Sequence, residues 1–347
     1  MKLLIITQRV DTQDQLLGFF IDWIRKFSEK FEKVTVLCLE KGEFSLPENV
    51  EVISLGKDRG YPKIGQLSTF YFLLSTLKYD AVFVHMNPIW VILGGISWRF
   101  MNKKIFFWYT SGGVTTKLKL AEKIADVIFT ASKESFRLPS KKVIVTGHGI
   151  DAELFRPNSK FDPPAGWTGI RNSKLRILSV GRISPVKNYE TLVDAAKILK
   201  DKGIDFQVTM VGEAPLDSDT RYLTSLKLKV KSLKLEDNFD FVGKVSHKNL
   251  PEYYQSHNIF IHLSKTGSLD KTILEAMACG MKVLSSSDSA RFFLPSESLF
   301  NESNSSELAD KIFVMKDRLV DPILREFVIR EHNLDALIEK ISRVINQ

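Results

Sequence analysis

The stretch Thr266-Gly267-Ser268-Leu269-Asp270-Lys271-Thr272-Ile273-Leu274-Glu275-Ala276-Met277-Ala278-Cys279-Gly280 decides the fold of the chain around it. It follows an apolar, β-prone run at residues 259–263, so we predict a strand, a short polar loop and a helix. Gly267 provides a flexible turn, Ser268 is expected to cap the helix with its hydroxyl, and Gly280 to end it as a left-handed C′ residue. Because the first amides of a helix are free and its dipole is positive there, we predict an anion site at this helix start.

Glu275 shares an edge of the predicted helix with Asp270, Lys271 and Leu274, because residues three or four positions apart face the same way. A carboxylate at this position cannot bind phosphate, but it can accept hydrogen bonds from the paired hydroxyls of a ribose. The alternative is an ordinary helix capped by Ser268, with a solvated glutamate.

A second candidate anion site is the segment Val180-Gly181-Arg182-Ile183-Ser184-Pro185-Val186-Lys187-Asn188, between a predicted strand and a predicted helix. Gly181 permits close backbone approach, Arg182 leaves the strand end, and Lys187 stands at the helix start. Two cations five residues apart suit a diphosphate, which carries two adjacent anionic centres. The alternative is a strand-to-helix loop with ordinary surface charges.

Strands and helices alternate along both halves of the chain, and most strands are apolar on both faces. This pattern predicts α/β domains whose parallel sheets are covered by helices on both sides. The predicted strands are residues 3–6, 34–39, 50–54, 81–85, 105–109, 127–131, 143–146, 176–180, 206–211, 239–242 and 259–263. The predicted helices are residues 15–31, 66–78, 89–100, 114–125, 133–137, 189–202, 219–233, 247–256 and 321–346.

The segment 157–174 contains three prolines and two glycines without periodicity, which predicts a linker between two domains. We therefore predict an N-terminal domain at residues 1–157, a linker at 158–173 and a C-terminal domain at 174–325. The last helical segment, 326–347, is long enough to return to the N-terminal domain.

Ligands of parallel sheets bind beyond the carboxyl ends of the strands. In the first half this rule selects Asp11, His85, Ser111 and His148, each of which follows or ends a predicted strand. These side chains are therefore candidates for contacting a substrate.

The composition is typical of a globular protein, and we predict no membrane-spanning segment. The 347 residues are 44% hydrophobic and 26% charged, and the longest apolar run, 89–98, is too short to cross a bilayer. Two cysteines provide neither a disulfide framework nor a metal set. Because Met1-Lys2 continues directly into Leu-Leu-Ile-Ile, we expect a first strand rather than a signal segment, and a cytoplasmic location.

The net charge of +8 lies mainly in the first half, where residues 1–165 carry +6 and residues 166–347 carry +2. Basic patches attract nucleic acid or acidic lipid, or are simply solvated. There is no zinc-finger spacing and no aromatic RNA-binding signature, so we expect no nucleic acid partner. We expect instead a weak, peripheral association with an anionic membrane surface, with a merely solvated basic face as the alternative. The basic residues concerned are Lys103, Lys104, Lys117, Lys119 and Lys123.

Two segments of the second half, 180–188 and Leu-Glu-Ala-Met-Ala-Cys-Gly at 274–280, resemble the retaining GT-B glycosyltransferases of family 4. The resemblance covers essentially the whole chain, since Thr-Gly-His-Gly-Ile-Asp at 146–151 and Phe-Val-Gly-Lys-Val at 241–245 are also similar to family segments. It implies an α/β fold of two Rossmann-like parallel-sheet domains facing a central cleft, the acceptor in the first and the donor in the second. It also implies a nucleotide-sugar donor and no metal or other cofactor. This agrees with Asp217-Ser218-Asp219, which precedes a predicted helix and suits N-capping better than metal binding.

The chain departs from the family pattern in two places. The family's two glutamates, which have seven residues between them, correspond to Gly267 and Glu275, and its Gly-Phe-Gly is replaced by Ser268-Leu269-Asp270. Many members place a donor-contacting histidine at the position of Ser111. These changes indicate a distinct subgroup, and they leave the sugar and the catalytic assignment open.

Carried over position by position, the resemblance assigns Arg182 and Lys187 to the diphosphate, Glu275 to the ribose and residues 243–245 to the base. The catalytic candidates are Arg182, Lys187, Asp270 and His148. The donor-binding candidates are Gly181, Arg182, Lys187, Gly212, Lys244, Val245, Gly267, Ser268, Leu269, Asp270, Lys271 and Glu275. The acceptor-side candidates are Asp11, Gly18, His85 and Ser111.

The resemblance implies a hexosyltransferase-type enzyme (EC 2.4) that moves a sugar to a glycan, lipid-linked or polysaccharide acceptor. Two alternatives stay open. One is a nucleotide-sugar epimerase or a phosphorylase on the same scaffold, and the other is a catalytically silent protein that binds a sugar nucleotide.

Overall fold

Parallel strands alternate with helices along the chain, as the apolar runs predict. The computed structural model describes residues 1–158, 174–264 and 268–347. In these ranges the strands are β1 (Lys2–Val10), β2 (Lys33–Lys41), β3 (Val50–Ser54), β4 (Ala81–His85), β5 (Lys104–Trp108), β6 (Val127–Thr130), β7 (Val143–Val145), β8 (Leu175–Val180), β9 (Phe206–Val211), β10 (Phe239–Gly243), β11 (Ile259–His262) and β12 (Lys282–Ser285). The helices are α1 (Phe20–Ser28), α2 (Lys63–Thr76), α3 (Pro88–Phe100), α4 (Thr116–Ile124), α5 (Tyr189–Asp201), α6 (Asp217–Ser232), α7 (Leu250–Ser256), α8 (Lys271–Ala278), α9 (Ser305–Met315), α10 (Pro322–Glu331) and α11 (Leu334–Ile345). None of these helices is both long and apolar enough to cross a membrane.

The described residues group into two units. The first comprises Met1–Gly149, Ser246–Lys248 and His332–Gln347, and the second comprises Ile150–Val245 and Asn249–Glu331. These bounds differ from the predicted ones after residue 149, because Ile150 and Phe155 are buried in the core of the second unit. Of the predicted linker 158–173, only Asn158 is among the described residues.

The first unit is a seven-stranded parallel sheet in the order β3-β2-β1-β4-β5-β6-β7. Helices α1 and α11 contribute to the core on one face, and α2, α3 and α4 to the core on the other. The strand order reverses direction between β1 and β4, and a reversal of this kind opens a crevice at the carboxyl ends of the two strands.

The second unit is a five-stranded parallel sheet in the order β10-β9-β8-β11-β12. Helices α5, α6 and α9 cover one face, and α7, α8 and α10 cover the other. Its strand order reverses between β8 and β11. The segment after β8 and the segment between β11 and α8 are the two that we identify from the sequence as candidate anion sites, so the topology places both of them at one switch point.

Three predicted helix starts are wrong for local reasons. Helix α1 begins at Phe20 rather than residue 15, because Asp14 Oδ1 accepts hydrogen bonds from the amides of Leu16 (2.9 Å) and Leu17 (2.7 Å) and holds a turn. Helix α7 begins at Leu250 after a 3₁₀ turn, not at residue 247. Helix α6 begins at Asp217 after Leu216, so its acidic residues lie in the first turn, favoured by the dipole, and do not cap it.

The helix predicted at residues 133–137 is also wrong. Turns occupy this segment. The hydroxyl of Ser132 lies 3.0 Å from the hydroxyl of Ser135, and it accepts a hydrogen bond from the amide of Ser135 at 3.3 Å. These local bonds compete with the helical pattern.

Candidate functional site

Three glycines, Gly181, Gly212 and Gly243, lie side by side at the carboxyl ends of β8, β9 and β10. The amide of Gly212 donates to the carbonyl of Gly243 at 2.8 Å. The φ angles of Gly181 and Gly212 are +152° and +154°, a region that only glycine enters readily. A Cβ on Gly212 would lie 1.9 Å from the carbonyl oxygen of Gly181. The backbone therefore forms a ledge without side chains beside the switch point, and we call it the glycine ledge.

Lys187 and Asp270 form an ion pair across the switch point. Lys187 ends the 3₁₀ turn Pro185–Lys187 after β8, and Asp270 directly precedes α8. The Lys187 Nζ atom lies 2.5 Å from Asp270 Oδ2, with 16% and 22% of the two side chains exposed. A Cβ on Gly181 would lie 3.9 Å from the same Nζ, so the amine stands over the glycine ledge. Partial burial makes this pair stronger than an ion pair on the surface.

His262 joins this pair from the end of β11. Its Nε2 lies 2.6 Å from Asp270 Oδ2, and its Nδ1 lies 3.2 Å from Ser285 Oγ. The distances fit a neutral ring that donates from Nε2 to the carboxylate and accepts from the serine hydroxyl at Nδ1. Neither His262 nor Ser285 is among the site residues predicted from the sequence. The available signal is that His262 is the one polar residue within the apolar run 259–263.

The charges of the cluster follow from burial and from its neighbours. Burial acts to raise the pKa of Asp270, but Lys187 and His262 outweigh it and hold that pKa far below its usual range. Burial is also the largest influence on His262 and lowers the pKa of the ring below 6.5, with Asp270 acting to raise it and Lys187 to lower it. At neutral pH the cluster therefore consists of a cation, an anion and an uncharged imidazole.

The start of α8 differs from the prediction. Asp270, not Ser268, occupies the N-cap position, and no side chain among the described residues caps the helix. Ser268 instead accepts a hydrogen bond at its carbonyl oxygen from Ser289 Oγ, at 3.0 Å. The predicted end is confirmed, because Gly280 has a φ of +71° and its amide donates to the carbonyl of Met277 at 3.0 Å. Without a side-chain cap, the first turn of α8 is suited to an anion.

Glu275 is buried, with 2% of the residue exposed, so the alternative of a solvated glutamate is wrong. The hydroxyl of Tyr254 donates to Glu275 Oε2 at 2.9 Å. Burial and the adjacent carboxylate raise the pKa of Tyr254 well above its usual value, so the hydroxyl keeps its proton. Tyr254 is a further residue that the sequence analysis misses, because helical spacing marks it only as apolar. The ribose assignment of Glu275 stays a prediction.

The other donor-side candidates occupy different environments. Arg182 is half-buried and has no ion pair with any residue that the structure describes. Val245 and Leu269 are buried in the core of the second unit, so their side chains support the site by packing. Lys244 is exposed and Lys271 half-buried. Gly267 lies outside the described residues.

In the first unit, two predicted residues meet around Trp108. His85 is fully buried, stacks on Phe20 at 3.9 Å between ring centroids, and has its Nδ1 3.2 Å from Thr7 Oγ1. The centroid of Trp108 lies 5.5 Å from that of His85 and 6.2 Å from that of His148. The amide of His148 donates to Nδ1 of His332, a residue that the sequence analysis misses, at 3.2 Å. His85 therefore has the packing of a core residue, and its acceptor-side role stays a prediction, as does the catalytic role of His148.

The remaining acceptor-side candidates lie in two loops. Asp11 and Gly18 follow β1, where Asp11 Oδ1 accepts from the amide of Gln13 at 2.9 Å and the amide of Gly18 donates to the carbonyl of Asp14 at 3.0 Å. Ser111 follows β5, and its amide donates to the carbonyl of Ser135 at 2.8 Å. Among the described residues, no group of three or more His, Cys, Asp or Glu side chains could hold a metal ion. The expectation of metal-independence stays a prediction.

Comparison with known proteins connects this geometry to a chemistry. Residues 167–313 match the family described as "Glycosyl transferases group 1". The 2-deoxystreptamine N-acetyl-D-glucosaminyltransferase of Niallia circulans is 23% identical over 236 residues, which are 61% of this chain and 59% of that enzyme. The alpha-monoglucosyldiacylglycerol synthase of Streptococcus pneumoniae is 25% identical over 211 residues, 60% of this chain and 46% of that enzyme. Across the first curated relatives, the match spans 23% to 59% of their length.

Solved structures show the same fold. The structure of HepE from Anabaena in complex with UDP-glucose matches 100% of this chain and 99% of its own, with a TM-score of 0.75 and 17% identity. The sucrose-phosphate synthase of Thermosynechococcus elongatus matches 100% of this chain and 98% of its own, with a TM-score of 0.75 and 18% identity. The two parallel-sheet units thus match the fold of GT-B glycosyltransferases.

Proposed function

We propose that this chain, which carries a glycosyltransferase group 1 domain, transfers a sugar from a nucleoside diphosphate sugar to a glycan or lipid-linked acceptor. One observation carries the proposal: the Lys187 amine stands over the glycine ledge, paired with Asp270 at the β8/β11 switch point. A diphosphate needs close backbone approach and a nearby cation, and this place offers both. The HepE structure, which contains UDP-glucose, supports the same ligand class.

In this proposal Lys187 and Arg182 act on the leaving diphosphate. As the bond from the anomeric carbon to the phosphate oxygen breaks, negative charge accumulates on that oxygen, and the two cations stabilise this charge more than they stabilise the bound donor. Lys187 has three N–H donors, so it can keep Asp270 and still bind a phosphate oxygen. The acceptor attacks on the face from which the diphosphate leaves, so the sugar keeps its anomeric configuration, and no metal takes part.

Two other functions fit the same binding site. A nucleotide-sugar epimerase or a phosphorylase would turn over the donor without a glycan or lipid acceptor, and a silent binding protein would not turn it over at all. Lys187 and Arg182 favour an enzyme that releases a diphosphate. Two cations near the diphosphate are most useful when its negative charge increases, as it does when the bond to the sugar breaks.

Binding of the donor class is tested by thermal unfolding with UDP-, GDP- and ADP-hexoses. A ligand at 100 times its dissociation constant stabilises the folded protein by about 2.7 kcal/mol, so one member of the panel should clearly raise the Tm. If no nucleoside diphosphate sugar changes the Tm at millimolar concentration, the proposed donor site is wrong.

The proposal includes an anionic membrane surface, on the cytoplasmic side, as the place where a lipid-linked acceptor is met. Helices α2 and α3 of the first unit carry exposed apolar side chains on their outer faces, and we call this set the apolar face. The helices touch through Tyr71, whose hydroxyl donates to the carbonyl of Leu93 at 3.0 Å. The members of the apolar face are Ile64, Tyr71, Phe72, Ile96 and Phe100, which are 83%, 41%, 64%, 69% and 87% exposed.

Basic residues follow the apolar face along the chain, on α4 and before it, and α4 packs against α3, where Arg99 donates to the carbonyl of Ile124 at 2.8 Å. Lys104 follows α3, and Lys117, Lys119 and Lys123 lie along α4, all of them exposed. Lys103 is half-buried, with its amine 5.6 Å from the ring centroid of Tyr79. Apolar side chains beside lysines suit an anionic bilayer, in which the former enter the headgroup region and the latter meet the lipid charge. The Streptococcus pneumoniae relative, by its name a diacylglycerol glycolipid synthase, supports a lipid acceptor. Salt-dependent co-sedimentation with anionic liposomes measures this contact.

A further inference from the structure

A continuous chain of hydrogen bonds joins the end of β12 to the amine of Lys187. The amide of Ser287 donates to Ser285 Oγ at 3.1 Å, and Ser285 Oγ lies 3.2 Å from His262 Nδ1. His262 Nε2 then lies 2.6 Å from Asp270 Oδ2, which lies 2.5 Å from Lys187 Nζ. Every link has one donor and one acceptor when the ring carries its proton on Nε2. The position of the Lys187 amine therefore depends on His262, through the carboxylate between them.

We propose that His262 is a positioning residue for the donor: through Asp270 it fixes Lys187 where the amine meets the diphosphate, and it gains a proton when the diphosphate binds. The inference rests on the proposed function, because it takes the diphosphate of the donor as the anion. Only 3% of the His262 side chain is exposed, so it acts through Asp270 and not by touching the donor.

The charge balance of the cluster explains the proton uptake. Without donor, Lys187 and the ionised Asp270 neutralise each other, and the His262 ring is uncharged because burial lowers its pKa; Asp270 acts to raise that pKa and Lys187 to lower it. A bound diphosphate places negative charge beside Lys187 and offsets the positive charge that disfavours a charged ring. The pKa of His262 then rises. By linkage, the donor binds more tightly as the pH falls through the range in which the ring gains its proton.

The groups facing the ring make this change specific. Asp270 and Lys187 are the charged groups that act on His262 among the described residues, and they belong to the segments before α8 and after β8. Ser285, from the end of β12, is neutral. Tyr189, at the start of α5, is close enough to interact with Asp270, but burial raises the pKa of its hydroxyl and keeps it uncharged.

The coupling is measured first without donor, from the ring ¹⁵N resonances of His262 in a pH titration. Lys187→Met removes a positive charge and should raise the pKa of His262. Asp270→Asn removes the negative charge and should lower it. A His262 pKa that is the same in both variants and in wild type would overturn the proposal, whatever the protein binds.

The donor arm uses UDP-glucose, because the phosphates of a diphosphate diester do not change charge near neutral pH. Wild type should bind it more tightly at about pH 6 than at about pH 8, with roughly tenfold per pH unit as the limit for one proton. His262→Gln keeps an N–H donor for Asp270 but cannot gain a proton. It should bind within about threefold of wild type at the higher pH and lose the pH dependence.

His257→Gln is the matched control. His257 is another histidine of the second unit whose pKa is lowered by burial. Its Nε2 lies 2.8 Å from Thr209 Oγ1, so it is not part of the hydrogen-bond chain from Ser287 to Lys187. This variant should keep the wild-type pH dependence of binding. His262→Phe removes the N–H donor as well and should weaken UDP-glucose binding about tenfold at the higher pH, a loss that Gln restores. At the lower pH the loss relative to wild type should be larger in both variants, because neither side chain can gain a proton.

The outcomes separate the two proposals. A pH dependence that survives His262→Gln overturns proton uptake at His262, and equal binding by His262→Phe and wild type overturns positioning. If wild type binds none of the UDP-, GDP- and ADP-hexoses while the donor-free pKa shifts occur, the coupling of His262 to Lys187 stands and the donor class of the proposed function is wrong.

Discussion

Asp270 is the residue on which the candidate donor site depends most. Its Oδ2 accepts from both Lys187 Nζ at 2.5 Å and His262 Nε2 at 2.6 Å, and these neighbours keep it ionised although burial opposes the charge. A partly buried carboxylate between two N–H donors fixes both of them in place. Asp270 therefore sets the geometry of Lys187 before any ligand arrives.

Asp270→Asn should destabilise the protein near neutral pH, because Asn cannot neutralise Lys187. Breaking a buried or partly buried pair costs about 2–4 kcal/mol in the free energy of unfolding. The folded-state pKa of Asp270 is lowered, so its stabilisation is present above the unfolded pKa of about 3.9 and is lost as the pH falls below that value. Urea unfolding should show a large gap between wild type and variant at about pH 7 that narrows towards pH 3. Equal stability at neutral pH would show that the pair contributes nothing.

The sequence predicts Lys187 and Asp270 as donor-site residues but not as partners. Local motifs identify each, since one follows a glycine at a strand end and the other begins a helix. Their pairing depends on β8 and β11 being neighbours, and no pattern within either segment specifies that. His262 and Tyr254 are harder still, because a buried polar residue inside an apolar run has the same spacing as its core neighbours. The catalytic role predicted for Asp270 stays a prediction.

At the scale of elements, α2 and α3 combine a buried and an exposed apolar side. In α3, Trp90, Val91 and Trp98 are buried while Ile96 and Phe100 are exposed, so the apolar run 89–98 serves the core on one side and the apolar face on the other. Exposed side chains as large as these, grouped beside lysines, mark an interaction surface more often than chance exposure does.

Replacing Ile96 and Phe100 together by Ser should weaken binding to anionic liposomes at least tenfold, since a fully buried side chain of this size contributes roughly 1.5–3 kcal/mol. Replacing Lys117, Lys119 and Lys123 by Gln should weaken it further at low salt, at about 1 kcal/mol per charge, and have little effect at high salt. Co-sedimentation measures both effects.

Leu319→Ser with Ile323→Ser is the matched control for the liposome experiment. These residues of the second unit are 85% and 65% exposed, and they should leave binding unchanged. Binding that is equally weakened by the control pair, or that is absent in wild type at low salt, would contradict a specific docking face.

Helix positions follow well from the sequence, but several helix starts do not. Gly280 ends α8 as predicted because left-handed backbone has a strong sequence signal. The starts fail where a side chain can bond to the backbone in more than one way. Asp14 holds a turn ahead of α1 by accepting from the amides of Leu16 and Leu17, and Ser268 leaves the N-cap position of α8 to Asp270.

At the scale of the whole molecule, the two parallel sheets are predictable from the sequence. The strands of a parallel sheet are buried on both faces, so they read as short, continuously apolar runs that alternate with helices. The order of the strands within each sheet is not predicted from the sequence. Each sheet reverses direction once, between β1 and β4 and between β8 and β11, and the donor candidates Lys187 and Asp270 meet at the second reversal. The change of unit after Gly149 is invisible in composition, since Ile150 and Phe155 differ from their neighbours only in where they pack.

The central claim is transfer of a sugar from a nucleoside diphosphate donor, and turnover of the donor that raises the Tm tests it most directly. The measurement is release of nucleoside diphosphate by wild type, Arg182→Ala and Lys187→Ala, with and without a membrane lipid extract as acceptor. We predict release that requires the extract and falls about ten- to a hundredfold in each variant, since a hydrogen bond to a charged group contributes roughly 1.5–3 kcal/mol. Release without any acceptor, or variants as active as wild type, would contradict it.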